Sequence, residues 1–175
     1  MSNQSPIMQD QVWFITGCST GFGKSLALKA LAKGYKVVMT ARHIEDVQAI
    51  EKLYPQSAAA VLLDLEKPEM FAACVDEAHK AFGRIDVLVN NAGLALGLEP
   101  AHKAFLSDWD QMIDTNIKGL VHMSRAFLPG MVERKCGHVI NLGSVAANYP
   151  YPGGNVYGGT KAFVKQFSLN LRADL

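Results

Sequence analysis

Short apolar runs alternate with amphipathic stretches along almost the whole chain. Five runs of five or six residues are rich in β-prone side chains, as in strands buried on both faces of a sheet. They occupy 12–16, 36–40, 58–63, 84–89 and 138–142. Helical patterns cover 24–32, 45–53 and 68–82, a long stretch that starts at Ser107 as N-cap, and the region of 157–161. This alternation predicts an α/β fold, one domain with a doubly wound parallel sheet in the order 3-2-1-4-5.

A glycine-rich turn follows the first strand and leads directly into the first helix. Its spacing, G-x-x-x-G-x-G, differs from the commoner G-x-G-x-x-G. Gly17 permits the tight turn, Gly21 lets the backbone approach a pyrophosphate, and Gly23 lets the helix pack close to the strand. The helix N-terminus then binds phosphate. We therefore predict a Rossmann-like dinucleotide site. Its contacts in this turn are Gly17, Ser19, Thr20, Gly21, Phe22 and Gly23.

Residues at the ends of three further strands extend the predicted cofactor site. Arg42 stands where an NAD-binding fold carries an acidic residue, and a guanidinium there suits the 2′-phosphate of NADP(H). The alternative is a solvated surface arginine. Asp64 either contacts the adenine edge or only caps a helix. Small and amide residues let the backbone approach the cofactor after the fourth strand, at Asn91, Ala92 and Gly93.

The residues with catalytic chemistry lie in the second half of the chain. Tyr157 and Lys161 share a helix face, and a cation beside a phenol favours the phenolate. Ser144, after the fifth strand, can hydrogen-bond the same substrate oxygen that the phenol protonates. Tyr-x-x-x-Lys also occurs by chance, so the pair alone predicts little. Asn116 either satisfies buried backbone groups or, beside Lys161, holds a water in a proton path.

Composition and charge change this interpretation little. The 175 residues, 49% hydrophobic and 19% charged, are ordinary for a globular domain. A formal charge of +1 gives no indication of a nucleic-acid or membrane surface. The cysteines, odd in number and without C-x-x-C, predict free thiols and no metal site. The polar tail at 1–11 has no signal-peptide core and no apolar run is long enough to span a membrane, so we expect a cytoplasmic protein.

Together these motifs resemble those of the short-chain dehydrogenases/reductases. The matching segments are T-G-C-S-T-G-F-G at 16–23, N-N-A-G at 90–93, Asn116, Ser144 and Y-G-G-T-K at 157–161. From Asn90 onward the chain is similar to the NADP-dependent 3-hydroxy acid dehydrogenases, which act on serine, allo-threonine and related acids. The first half resembles only the wider family.

The resemblance implies a role for each matching residue. Tyr157 would be the acid/base and would also contact the cofactor, and Lys161 would favour its phenolate and hold the nicotinamide ribose. Ser144 would orient the substrate oxygen, and Asn116 would support a proton-relay water. The implied reaction moves a hydride between NADP(H) and a short 3-hydroxy acid such as serine, allo-threonine or 3-hydroxypropionate. The implied assembly is a homodimer or homotetramer, formed through the long helix after Ser107 and the helix carrying Tyr157.

Other functions stay open at this point. One is a reductase of a hydrophobic ketone or alcohol, with a pocket wall at 149–151; another is a non-catalytic NADP-sensing protein of the same fold. The glycine spacing disfavours a third, an epimerase or dehydratase. A substrate carboxylate needs a cation or several backbone donors, yet 145–155 holds no charged residue. Family members extend past residue 175, so we expect 12–175 to be a C-terminally incomplete domain.

Overall fold

A computed structural model describes residues 10–175, so most of the predicted tail at 1–11 lies outside the described residues. The strands are β1 (Val12–Ile15), β2 (Lys36–Ala41), β3 (Ala58–Leu62), β4 (Val87–Asn90) and β5 (His138–Asn141). The helices are α1 (Gly21–Ala32), α2 (Glu45–Leu53), α3 (Phe71–Phe82), α4 (Leu106–Ile113), α5 (Leu120–Glu133) and α6 (Asn155–Asp174). The strands form one parallel sheet in the order β3-β2-β1-β4-β5. The predicted fold class and strand order are confirmed.

Alternate residues of the central strands supply two hydrophobic cores, one on each face of the sheet. Phe14, Val38 and Leu88 point to the face covered by α3 and α5, where the ring of Phe14 lies 4.8 Å from that of Phe127. Ile15, Met39 and Val89 belong to the opposite core, which contains residues of α1 and α2. Helices on both faces explain why these strands read as unbroken apolar runs.

The long helix predicted after Ser107 is divided into three parts. A π-helical segment, Asp114–Gly119, lies between α4 and α5. Single π-turns within α-helices are frequent at functional sites, and this one contains the predicted Asn116. Ser107 as N-cap is wrong. It is the second residue of α4, because Phe105, with extended backbone, occupies the capping position, and no side chain caps the helix.

The two strands on the β4 side of β1 differ in burial. β4 is buried along its whole length, whereas β5 pairs only with β4 and its residues are half-buried or exposed. The carboxyl ends of β1, β4 and β5 lie at one edge of the sheet because the strands are parallel and in register. Within residues 10–175, no helix has the length and apolar character needed to span a bilayer.

Candidate active site

The turn between β1 and α1 is a cradle that only small residues can form. Gly17 and Gly21 have φ angles of 71° and 59°, in the left-handed region that favours glycine. A Cβ on Gly23 would collide with the carbonyl oxygen of Gly17 and with the side-chain amide of Asn91. At the start of α1, Thr20 makes no side-chain capping bond and the first turn holds no acid. Its backbone N–H groups and positive dipole end therefore suit an anion.

Hydrogen bonds join this turn to the loop that follows β4. Asn91 Nδ2 donates to the carbonyl oxygens of Thr16, at 2.8 Å, and Gly17, at 3.0 Å. Thr16 Oγ1 accepts from the backbone N–H groups of Asn91, at 3.0 Å, and Ala92, at 2.9 Å. The cradle is thus a cross-linked backbone structure rather than two independent loops.

A cavity of about 380 Å³ opens above this cradle. Of the predicted cofactor residues, the lining includes Gly17, Ser19, Thr20, Phe22, Gly23, Arg42, Asp64, Asn91, Ala92 and Gly93. Gly21, Tyr157 and Lys161 are not among its lining residues. A Cβ on Gly93 would lie 3.4 Å from Lys161 Nζ and 3.1 Å from Asn116 Oδ1. Gly93 therefore connects the cavity to the predicted catalytic residues.

Arg42 and Asp64 both line the cavity. The Arg42 side chain is 62% exposed, and Nη1 lies 4.0 Å from Glu66 Oε1. Asp64 accepts a hydrogen bond from the backbone N–H of Glu66, at 3.1 Å, and lies 3.6 Å from Lys67 Nζ. Asp64 therefore stabilises the turn after β3 and also borders the cavity.

Lys161 is a buried cation beside Tyr157. Only 7% of the residue is exposed, and Nζ donates to the carbonyl oxygen of Leu142 at 2.8 Å. Nζ lies 5.9 Å from the centroid of the Tyr157 ring. Burial disfavours the ammonium and lowers the pKa of Lys161. The two side chains thus bring a cation and a phenol ring into one site, next to Gly93 of the cradle.

Ser144 is held in place by the turn that it starts. Its backbone is extended, and its Oγ accepts from the N–H of Ala146 at 3.2 Å, capping the single 3₁₀ turn Val145–Ala147. A Cβ on Gly158 would lie 3.1 Å from the carbonyl oxygen of Ala146, so α6 packs closely on this turn. The serine hydroxyl hydrogen is free of that bond and is available to a ligand.

Asn116 joins three parts of the site through its side-chain amide. Oδ1 accepts from the N–H of Leu94 at 2.9 Å, and Nδ2 donates to the carbonyl oxygen of Leu94 at 2.8 Å. Nδ2 also donates to Thr160 Oγ1 at 3.1 Å, and Thr160 precedes Lys161 in α6. The side chain satisfies buried backbone groups, one of the two roles considered from sequence. It also lies beside Lys161, as the other role requires.

The sequence does not predict several residues of the site. Thr16, Thr40, Glu66, Leu94 and Thr115 also line the cavity. For Thr16 a signal existed, since a threonine hydroxyl at a strand end can accept backbone N–H groups, but its partners come from 75 residues further along the chain. Within residues 10–175, no group of three or more His, Cys, Asp or Glu side chains is arranged to hold a metal ion.

The model of the short chain dehydrogenase family matches residues 11–175. This chain belongs to the short-chain dehydrogenase family. The match extends over nearly all the described residues, in accordance with the resemblance deduced from the motifs.

Individual members of the family are similar to this chain over most of its length. The chain is 53% identical to the NADP-dependent 3-hydroxy acid dehydrogenase YdfG of Salmonella typhi over 161 residues, which is 92% of this chain and 65% of the relative. The crystal structure of serine dehydrogenase from Escherichia coli is 50% identical, with a TM-score of 0.90 over 94% of this chain and 76% of that chain. The closed form of serine dehydrogenase with NADP⁺ is 50% identical, with a TM-score of 0.87 over 94% and 66%.

Proposed function

We propose that this chain carries the cofactor site and catalytic residues of an NADP(H)-dependent dehydrogenase of short 3-hydroxy acids, such as serine, allo-threonine or 3-hydroxypropionate. The observation that carries the proposal is Lys161, buried against Tyr157 and bordering the cradle at Gly93. The names of the relatives at 50% to 53% identity support the choice of cofactor and substrate class. Since the chain spans about 65% of the length of the curated relatives, the activity of the whole protein is part of the proposal.

The residues around the cavity fit NADP(H). The free N-terminus of α1 and the open space beside Gly21 suit the pyrophosphate, and Arg42 suits the 2′-phosphate. Gly93 would let the nicotinamide end approach Lys161. When bound, the nicotinamide supplies the acceptor or donor of the hydride.

Tyr157 is the proposed acid/base. In the oxidative direction its phenolate accepts the proton of the substrate hydroxyl, and in the reductive direction its hydroxyl returns that proton to the carbonyl oxygen. The Ser144 hydroxyl donates a hydrogen bond to the same oxygen and so orients it. Lys161 favours the phenolate electrostatically, and Leu142 fixes the position of its ammonium.

Asn116 is proposed to act in two ways. Its amide holds Leu94 to α6 and thereby positions Lys161. Its location beside Lys161 supports a proton path that continues from the lysine through a water. The π-helical segment assists, since its altered hydrogen bonding leaves backbone groups differently placed from those of an α-helix.

The substrate carboxylate requires donors near Tyr157. Lys165 brings an ammonium to the stretch after Ser144, where Nζ donates to Asn148 Oδ1 at 2.6 Å. It lies eight residues after Tyr157, however, about 12 Å along the helix axis, and its ammonium is already engaged by Asn148. In this part of the chain the backbone N–H of Gly153 is the proposed donor, because that of Gly154 already donates to the carbonyl oxygen of Tyr151 at 3.0 Å.

A comparison of substrates tests the proposal. We expect kcat/KM for L-serine or 3-hydroxypropionate with NADP⁺ to exceed that for an uncharged alcohol of similar size by about tenfold or more, because the carboxylate contributes charge-assisted hydrogen bonds. The matched measurement without substrate but with NADPH reports cofactor binding separately. A neutral alcohol that reacts as efficiently would contradict the 3-hydroxy acid assignment and leave the dehydrogenase assignment standing.

One observation favours a second candidate, a dehydrogenase of hydrophobic alcohols. Tyr149 and Tyr151 are 70% and 43% exposed, and Leu98 is 79% exposed. The loops that carry them approach each other, since Asn155 Nδ2 donates to the carbonyl oxygen of Glu99 at 3.2 Å. Apolar residues in facing loops would suit a bulky substrate, and the same substrate comparison would detect it.

We also propose that the protein forms a homodimer or homotetramer and is located in the cytoplasm. Phe163 and Leu169 of α6, 37% and 52% exposed, and Leu106 of α4, 70% exposed, are apolar residues that a subunit interface could cover. Sedimentation of the full-length protein as a monomer at micromolar concentration would contradict a homodimer or homotetramer. The proposed location is a reducing compartment because an odd number of cysteines without a C-x-x-C pair is typical of free thiols. Burial raises the pKa of Cys18 and Cys74 to about 12.

A further inference from the structure

The cofactor cavity carries more negative than positive charge. Of the described residues that line it, three are charged, namely Arg42, Asp64 and Glu66. One cation therefore faces two carboxylates in a site proposed to take a polyanionic dinucleotide. Lys67 lies 3.6 Å from Asp64 and offsets that charge locally. Among residues 10–175, the cation beside the carboxylate of Glu66 is Arg42 itself, at 4.0 Å.

Neighbouring groups hold Glu66 close to Arg42. Gln111 Nε2, from α4, donates to Glu66 Oε1 at 2.8 Å, and this is the oxygen that faces Arg42. The backbone N–H of Glu66 donates to Asp64 Oδ1 at 3.1 Å, which fixes the turn. The side chain is 31% exposed, about half the exposure of Arg42, so its charge is less screened than that of a free surface acid.

We propose that Glu66 is a specificity-determining residue that weakens the preference for NADP(H) over NAD(H). It places a fixed carboxylate against the guanidinium that would bind the 2′-phosphate. The phosphate must share Arg42 with that carboxylate and is repelled by it. The 2′-hydroxyl of NAD(H) is neutral and can donate a hydrogen bond to a carboxylate. Glu66 thus sets how strongly Arg42 can discriminate, and this inference rests on the proposed function.

The test is the ratio of the dissociation constants for NADH and NADPH, measured by calorimetry on this chain and on its Glu66→Gln variant. Glutamine keeps the size of the side chain and an oxygen that accepts from Gln111. We expect the preference for NADPH to rise about 5- to 30-fold, mainly through tighter NADPH binding. The matched control is Glu69→Gln, an exposed acid in the 3₁₀ turn Pro68–Met70 that does not line the cavity, and its ratio should stay unchanged.

A second variant, Glu66→Ser, keeps the test valid if Glu66→Gln fails to fold. It should shift the ratio of the NADH and NADPH dissociation constants in the same direction. An unchanged or lower preference for NADPH in both variants would overturn the inference. The proposed function fails in a different way, namely if the unsubstituted chain binds neither NADPH nor NADH.

Discussion

The cradle (residues 16–23 and 91–93) and the proposed catalytic strip (Ser144, Tyr157 and Lys161) consist of different kinds of groups. The cradle consists of backbone groups and glycines, and Asn91 and Thr16 connect its two segments. It follows β1 and β4 near the centre of the sheet. The strip consists of side chains that depend on β5, an edge strand, and on one face of α6.

This difference separates binding from chemistry. In the cradle, the atoms proposed to meet the cofactor are the same atoms that hold β1, α1 and β4 together. A substitution there changes stability and cofactor affinity at once. In the strip, the reactive groups project from elements that other residues hold in place, so they can be exchanged while the fold remains. Substitutions in the two regions should therefore produce different combinations of losses.

The largest effect on stability should come from Gly23→Ala. The new Cβ would meet the carbonyl oxygen of Gly17 and the amide of Asn91, neither of which can move without opening the cradle. We expect the free energy of unfolding to fall by about 2–3 kcal/mol, as for overpacking of a buried site. NADPH affinity should fall as well. Denaturant unfolding and calorimetry on one preparation measure both.

Gly159→Ala is the matched control. Gly159 lies in α6, is exposed, and has nothing within 4 Å of the position of a new Cβ. Its replacement should raise the free energy of unfolding by about 0.5–1 kcal/mol, because alanine is the better helix former. A loss of similar size in both variants would mean that glycine content in general, and not the close approach in the cradle, explains the first result.

A moderate effect is expected from Arg42→Ala, at the rim of the cradle. Arg42 is exposed and holds no core residue, so the fold should not change. NADPH affinity should fall about 10- to 100-fold through loss of charge-assisted hydrogen bonds, while NADH affinity stays the same. Equal losses for both cofactors would place the 2′-phosphate elsewhere, for example at Ser19 or Thr20.

The smallest effect concerns Lys161 and pH. Its pKa is lowered in the folded chain by burial, so between that lowered value and the ordinary value of 10.5 the unfolded chain binds more protons. The free energy of unfolding should therefore rise with pH in this window, by at most about 1.4 kcal/mol per pH unit. Lys161→Met should remove that rise. Lys165→Met, at an exposed position of the same helix, should retain it.

The sequence predicts the features of both regions that depend on local patterns, and it does not predict those that depend on contacts between distant residues. Strand order, the glycine turn and the Tyr157/Lys161 pair follow from local patterns of hydrophobicity and spacing, and these patterns are sufficient because the sheet has helices on both faces. The π-helical segment was not predicted. It arises where the amide of Asn116 bonds Leu94 and Thr160, two partners that are distant in sequence.

The sequence also does not predict the hydrogen bond between Gln111 and Glu66. These residues are 45 positions apart, and no periodicity links a residue of α4 to the turn after β3. The sequence predicts Ser107 as the N-cap of α4, and this is wrong because Phe105, with extended backbone, starts the helix without a polar side chain. Tertiary packing, rather than propensity, decides each of these features.

The most direct test of the separation between cradle and strip is Tyr157→Phe, assayed for both turnover and NADPH binding. Phenylalanine removes one oxygen from a half-buried side chain of α6 and leaves the cradle untouched. We predict that kcat falls by about 10²–10⁴-fold, the usual contribution of general acid–base catalysis, while the dissociation constant for NADPH changes less than about threefold. Retention of more than about a tenth of the activity, or loss of turnover together with loss of NADPH binding, would contradict this account.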